Sequence, residues 1–118
     1  MQRLRVYISG PITKGDRVTN FAQACAAQQR LMELGFAPLN PMLSMMHPAA
    51  WSIPHADWLA SDLPWVEMAD CVLRLPGEST GADAECERAR KTNTPVFTSL
   101  SDLLDYREAL NELEEVTA

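Results

Sequence analysis

Short apolar runs alternate along this chain with stretches whose apolar residues recur at helical spacing. The run LRVYIS over 4–9 is rich in β-branched and aromatic residues and stops at Gly10-Pro11, so it predicts a short buried strand followed by a turn. Apolar residues then recur at steps of three and four over 21–34, up to Gly35, which predicts a helix. A strand, a loop and a helix make the first half of a βαβ unit.

The same alternation continues to the end of the chain. The other predicted elements are strands over 36–39, 71–75 and 95–98 and helices over 55–69, 81–91 and 100–113. Pro64 is expected to bend the helix over 55–69 or to mark the first turn of a new one, and the acidic tail over 114–118 is expected to fray. Alternating strands and helices predict one α/β domain over 1–118, with a parallel sheet of four to five strands between two helical layers.

Composition excludes several classes of function. The formal net charge of -6 and the pI near 4.8 argue against binding to nucleic acid or to an anionic membrane, since both need a basic surface. No apolar stretch reaches membrane length, and the N-terminus has no signal-peptide pattern. Three widely spaced cysteines and two histidines form neither a disulfide framework nor a metal site. We therefore expect a cytoplasmic protein without a metal or a cofactor.

Three segments follow predicted strands and are expected to form the ligand site, because ligands bind outside the carboxyl ends of parallel strands. They are SGPITKGDR over 9–17, the proline- and methionine-rich connection over 41–54, and LPGESTGADAE over 75–85. The glycines and Lys14 of the first segment fit either a plain turn or a loop that holds a phosphate. Trp51 and Trp58 fit either core or subunit-interface packing, or an apolar wall that stacks on a base.

Glu85 follows Gly81 by four residues at the start of a predicted helix. The two lie along one helical face with Ala89, so small residues on either side of the carboxylate leave room for a ligand. The alternative is a solvated acidic first turn that interacts with the helix dipole. Asp62, on the preceding helix, also has two interpretations, a helix cap or a functional carboxylate.

Three ordered segments together resemble the nucleoside 2-deoxyribosyltransferase superfamily. They are YISGPI at the end of the first strand, DLPWVEMAD before the third strand, and STGADAECERA after the third strand. The resemblance spans roughly 4–97 and includes the small nucleotide N-glycosidases, the 2'-deoxynucleoside 5'-monophosphate N-hydrolases, and a phage and bacterial branch of short proteins. It implies a Rossmann-like (flavodoxin-like) domain that cleaves an N-glycosidic bond.

The resemblance also implies roles for particular residues. The family's nucleophilic glutamate matches Glu85, its aspartate that binds sugar hydroxyls and assists proton transfer matches Asp62, and its strand aromatic beside the nucleophile matches Tyr7. The substrate-binding positions implied by the first loop and by the segment ahead of the nucleophile are Ser9, Gly10, Pro11, Ile12, Ser79 and Gly81.

The resulting hypothesis is cleavage of a (deoxy)nucleoside or its 5'-monophosphate through a covalent glutamyl-sugar intermediate, by hydrolysis or by transfer to another base. The alternative is a protein of the same fold that binds a nucleotide or a ribosyl ligand without turnover. The expected partner is a small-molecule nucleoside or nucleotide. The resemblance further implies a homodimer or higher homo-oligomer, with the connection over 41–54 at the contact.

Overall fold

A computed structural model describes residues 2–117 of the chain. Four strands alternate with four α-helices, and two 3-10 helices lie in the connection after the second strand. The elements are β1 (Arg5–Ser9), α1 (Arg17–Glu33), β2 (Ala37–Leu39), the 3-10 helices Pro41–Met45 and Pro48–Ser52, α2 (His55–Met68), β3 (Cys71–Arg74), α3 (Thr80–Lys91), β4 (Val96–Phe97) and α4 (Leu100–Thr117). None of the helices in this range is long and apolar enough to cross a membrane.

The four strands form one parallel sheet in the order β2-β1-β3-β4. The chain moves outward from β1 to β2, then crosses back past β1 to β3, so the direction of winding reverses between β1 and β3. Such a reversal opens a crevice at the carboxyl ends of the two central strands. The predicted α/β class, with a parallel sheet of four to five strands, is confirmed.

The sheet buries both of its faces, as the three-layer prediction requires. Val6 and Ile8 of β1 belong to a large cluster that includes Leu31 of α1 and Leu103 of α4. Tyr7 lies on the opposite face, in a second cluster with residues of α2, β3 and α3. Because side chains alternate along a strand, Ser9 shares the face of Tyr7 and points toward α3. This alternation delivers two hydroxyl groups to the same helix.

Three helix boundaries differ from the sequence prediction. Helix α1 begins at Arg17 rather than 21, because the Asp16 side chain caps it by accepting a hydrogen bond from the Thr19 N–H at 3.1 Å. Helix α2 runs unbroken through Pro64, whose missing N–H leaves the carbonyl of the exposed Ala60 open to water. The predicted frayed tail is helical over 114–117, since α4 continues to Thr117, and Ala118 lies outside the described residues.

The connection over 41–54 is ordered by local caps rather than by a repeating pattern. The Asn40 side chain accepts a hydrogen bond from the Met42 N–H at 3.1 Å, and His47 Nδ1 accepts one from the Ala49 N–H at 3.1 Å. Each cap starts one of the two 3-10 helices. The connection thereby folds back over the carboxyl edge of the sheet.

Candidate active site

Glu85 lies in the second turn of α3, beside the carboxyl end of β1. Only 7% of the residue is exposed. The Tyr7 hydroxyl donates a hydrogen bond to Glu85 Oε2, and the Ser9 hydroxyl donates one to Oε1 at 2.8 Å. Both carboxylate oxygens are therefore held by β1. This excludes the alternative of a solvated acid in the first helical turn.

The environment of Glu85 changes its acidity. Burial is the main cause that raises the pKa of this carboxyl, to about 6, and the negative charge of Asp62 also raises it. The hydrogen bonds from Tyr7 and Ser9 and the charge of Arg74 act in the opposite direction. The same burial and the neighbouring carboxylate also raise the pKa of the Tyr7 hydroxyl. At neutral pH, Glu85 is thus a buried carboxylate held by two neutral donors.

Asp62 lies in the middle of α2 and faces the same crevice. It is half-buried, and desolvation raises its pKa to about 6. An acid with this pKa keeps a fraction of its protons near neutral pH and can donate one.

A cavity of about 460 Å³ joins these two carboxyl groups. Its walls come from the loop after β1, the connection over 41–54, α2 and the start of α3, and Glu85 and Asp62 both line it. This volume lies within the usual range for small-molecule sites, about 300–1,000 Å³. The three strand-end segments predicted to form one site therefore do enclose one cavity.

One wall of the cavity is apolar. It includes Met45, Trp51, Ile53 and Trp58. The indole N–H of Trp51 donates to the Met45 carbonyl at 2.8 Å, and that of Trp58 donates to the Ala50 carbonyl at 3.3 Å. Since both indole donors are used by the backbone, these rings offer the cavity apolar surface and no polar group. Such a wall suits a flat aromatic ligand.

Positive charge lies next to this wall, where the loop after β1 enters α1. The guanidinium of Arg17 stacks over the ring of Trp51 at 4.3 Å, and its Nη1 is buried without a hydrogen-bond partner among residues 2–117. Lys14 also lines the cavity, and forms an ion pair with Glu78 at 3.2 Å. A buried donor without a partner is unusual in a folded protein, so Arg17 is suited to bind a ligand.

A third basic side chain, Arg74, offsets the acidic start of α3. Arg74 Nη2 lies 3.1 Å from Asp83 Oδ1 and donates to the Gly77 carbonyl at 2.9 Å. The side chain of Arg74 is 14% exposed, whereas that of Asp83 is 72% exposed. Asp83 is therefore a partner of Arg74 and of the helix dipole, and its charge is partly neutralised.

The sequence-predicted site residues fall into three groups. Tyr7 and Ser9 lie beneath the cavity and hold Glu85, so the Ser9 hydroxyl is committed to the carboxylate. Pro11 is buried and packs toward Gly77. The predicted residues that line the cavity are Gly10, Ile12, Asp62, Ser79, Gly81 and Glu85.

Other lining residues were not predicted as site residues from the sequence. The sequence assigns no binding role to His55, and it leaves Arg17 and the two tryptophans open between a structural role and ligand binding. A signal did exist for His55, which precedes Asp62 by seven residues and so shares its helical face. Within residues 2–117, no three His, Cys, Asp or Glu side chains cluster closely enough to hold a metal ion.

A family model described as "Domain of unknown function (DUF4406)" matches residues 4–98 of this chain. The chain belongs to the DUF4406 family. Glu85, Asp62 and Tyr7 all lie within the matched segment, as does every residue named above as lining the cavity. A comparison of this DUF4406 chain with curated proteins finds no match.

One similar solved structure is that of a 2-deoxyribosyltransferase from the psychrotolerant bacterium Bacillus psychrosaccharolyticus, described as a biocatalyst for the synthesis of nucleosides. The TM-score is 0.62 at 18% sequence identity, and the match covers 78% of the DUF4406 chain and 69% of the other. At this identity the similarity shows a shared fold. The predicted resemblance to the nucleoside 2-deoxyribosyltransferase superfamily is thus confirmed at the level of the fold.

Proposed function

We propose that this protein cleaves the N-glycosidic bond of a (deoxy)nucleoside or its 5'-monophosphate, with Glu85 as the nucleophile. The observation that carries the proposal is the placement of Glu85, whose buried carboxylate is held by Tyr7 and Ser9 and lines a cavity with a second carboxyl group. A carboxylate in this position can stabilise the positive charge that develops at the anomeric carbon and then bond to it.

The departing base needs a proton, and Asp62 is the proposed donor. Its pKa of about 6 leaves part of the population protonated near neutral pH. Once the base has left, the same carboxylate accepts a proton from the incoming water or from a second base, which then takes the sugar from Glu85. Hydrolysis and transfer differ only in this acceptor.

The lining of the cavity combines apolar rings with a cation, both of which suit a nucleotide. Trp51 and Trp58 have apolar faces that suit a purine or pyrimidine ring. The unpaired Nη1 of Arg17 favours a substrate with an oxygen acceptor or a negative charge, and so favours the 5'-monophosphate. Two exposed carboxylates, Glu78 and Asp83, form ion pairs with Lys14 and Arg74.

The test is incubation with a panel of nucleosides and their 5'-monophosphates, with free base measured by chromatography. Glu85→Gln keeps the size of the side chain and removes the nucleophile, and we expect it to abolish base release. Glu87→Gln is the matched control, because Glu87 is an exposed residue on the same helix. Adding a second base during turnover separates transfer, which yields a new nucleoside, from hydrolysis, which does not.

The alternative of a binding protein without turnover makes a different prediction for the same panel. The wild type would release base from no compound in the panel, while the Glu85→Gln variant would still bind the ligand. The two hydroxyl donors fixed on Glu85 favour the enzyme, because a protein that only binds a ribosyl ligand has no need for a buried carboxylate at the cavity floor.

Assembly into a homodimer or higher homo-oligomer belongs to the same proposal. The connection over 41–54 exposes apolar side chains, including Leu43 at 46%, Met46 at 52% and Trp51 at 49%. Exposed apolar surface of this kind is typical of a subunit contact. Because Trp51 also lines the cavity, a contact there would affect the site.

A further inference from the structure

His55 occupies a position at the cavity that the proposed mechanism does not use. It is the first residue of α2 and lines the cavity. Its imidazole packs against the first turn of α3, where a Cβ added to Gly81 would lie 3.0 Å from His55 Cε1 and 3.5 Å from Nε2. A methyl group at position 81 would therefore require the ring to shift by a few tenths of an ångström. The missing side chain of Gly81 provides the space in which the imidazole lies.

This packing changes the interpretation of Gly81. Its spacing from Glu85 predicts that a small residue leaves room for a ligand, yet the imidazole of His55 takes the space next to its Cα. Ser79 Oγ also lies near Gly81, 3.9 Å from the same Cβ position, and accepts a hydrogen bond from the Ala82 N–H at 3.1 Å. The glycine thus brings a histidine to the start of α3.

The start of α3 also provides hydrogen-bond donors. The first N–H groups of a helix have no partner within it, so those of Thr80 and Gly81 face outward at the positive end of the helix dipole. Within residues 2–117, neither ring nitrogen of His55 makes a hydrogen bond. An imidazole can donate or accept one. A ligand oxygen at this point would meet donors from the backbone and from the ring.

The position of His55 relative to the carboxyl groups indicates which part of a substrate it would meet. Asp62 follows it by seven residues on the same face of α2, a distance of about 10 Å along the helix axis. Glu85 lies one turn along α3 from Gly81. A sugar placed against Glu85 and Asp62 would extend its base along the apolar wall and its 5' carbon toward the polar start of α3.

We propose that His55 is a substrate-binding residue that hydrogen-bonds the oxygen on the 5' carbon of the sugar, and that Gly81 acts by seating it. The oxygen is that of a hydroxyl in a nucleoside or of a phosphate in a 5'-monophosphate. The identity of the substrate rests on the proposed function, whereas the seating of His55 by Gly81 does not.

The first test uses NMR of the two histidines of the chain. Deoxyadenosine and deoxyadenosine 5'-monophosphate are titrated separately into the Glu85→Gln variant, so that the ligand stays intact. We expect the Cε1–H resonance of His55 to shift and saturate with at least one of the two ligands, and the ligand with the larger shift identifies the oxygen. His47 is the internal control, because its Nδ1 caps its own 3-10 helix and it does not line the cavity.

The second test is a double-mutant cycle on KM. His55→Ala should raise KM by about fivefold to tenfold, with a smaller effect on kcat, as expected for one lost hydrogen bond to substrate. His55→Gln, which keeps a donor, should recover part of the loss. Gly81→Ala should raise KM in the wild type but add little to His55→Ala, because the ring that it displaces is then absent.

The outcomes separate this proposal from the proposed function. If Gly81→Ala raises KM equally with and without His55, the space belongs to the ligand and the proposal is wrong. Saturable binding that leaves the His55 resonance unmoved also overturns it, even if base is released. If the protein releases no base but ligand binding shifts the His55 resonance, the binding role of His55 stands and the enzyme hypothesis is wrong. No binding by either ligand would overturn both.

Discussion

Glu85→Gln is expected to stabilise the fold at neutral pH, although it should abolish activity. Burial raises the pKa of Glu85 from 4.5 to about 6, so folding above that pH must desolvate a carboxylate. A rise of about 1.5 in pKa corresponds to about 2 kcal/mol of unfolding free energy. Only 7% of Glu85 is exposed, so solvent screens little of this cost.

The sign of the effect follows from the number of protons bound in each state. Below about pH 4.5 the carboxyl group is protonated in both the folded and the unfolded chain, and the stabilising contribution of the raised pKa is fully present. As the pH rises through about 6, that contribution is lost from the wild type. The glutamine variant has no proton to lose, so its advantage over the wild type should grow between pH 4 and pH 7.5.

Urea unfolding of both proteins at pH 4 and pH 7.5 measures this difference. Using the change between the two pH values cancels any constant effect of the new amide on Tyr7 and Ser9. Glu87→Gln is the control, since an exposed carboxylate should show little change. If the Glu85→Gln variant gains no stability relative to the wild type between the two pH values, burial does not control the acidity of Glu85 and the reasoning is refuted.

Three further predictions concern the neighbours of Glu85 and the assembly. Tyr7→Phe removes a hydrogen-bond donor that lowers the pKa of Glu85. The ionisation midpoint of that carboxyl, measured by carbon NMR, should therefore rise above about 6 by about 1–2 pH units. An unchanged midpoint would contradict the hydrogen bond. Asp62→Asn should lower kcat by about 10²–10⁴-fold and remove the decline in rate as the pH rises through about 6, whereas the exposed control Asp57→Asn should change neither. Met46→Lys should shift the protein toward monomer in analytical ultracentrifugation if the connection forms the subunit contact, and an unchanged oligomer would place that contact elsewhere.

The fold could be predicted from the sequence because its strands and helices carry strong local patterns. Strand β1 is apolar and ends at Gly10-Pro11, and α3 follows the cap at Ser79. The parts of the helices that differ from the prediction depend on smaller energetic effects, such as the cost of a proline within a helix and residue helix propensity. Pro64 is expected to bend α2 or to mark the first turn of a new helix, yet α2 continues through it, and the residue whose carbonyl it leaves without a helical donor, Ala60, is exposed. The acidic tail has good helix formers, which allow α4 to continue.

The site was predicted less completely than the fold. The resemblance to the nucleoside 2-deoxyribosyltransferase superfamily implies roles for Glu85, Asp62 and Tyr7, and the topology of a parallel sheet brings the two carboxyl groups to one cavity. The sequence leaves the apolar wall as one of two interpretations of Trp51 and Trp58, because the connection that carries Trp51 has no repeating pattern and is ordered by local caps. The contact between His55 and Gly81 depends on how closely α2 and α3 pack, a distance that no spacing in the sequence encodes.

The most direct test of the central claim is a search for the sugar on Glu85 itself. The wild type is quenched in acid during turnover of the best substrate, digested, and mapped by mass spectrometry. We expect the peptide that contains Glu85 to gain the mass of the sugar fragment, and we expect the Glu85→Gln variant to show no adduct. A sugar attached to any other residue, or base release by the Glu85→Gln variant at the wild-type rate, would contradict the account.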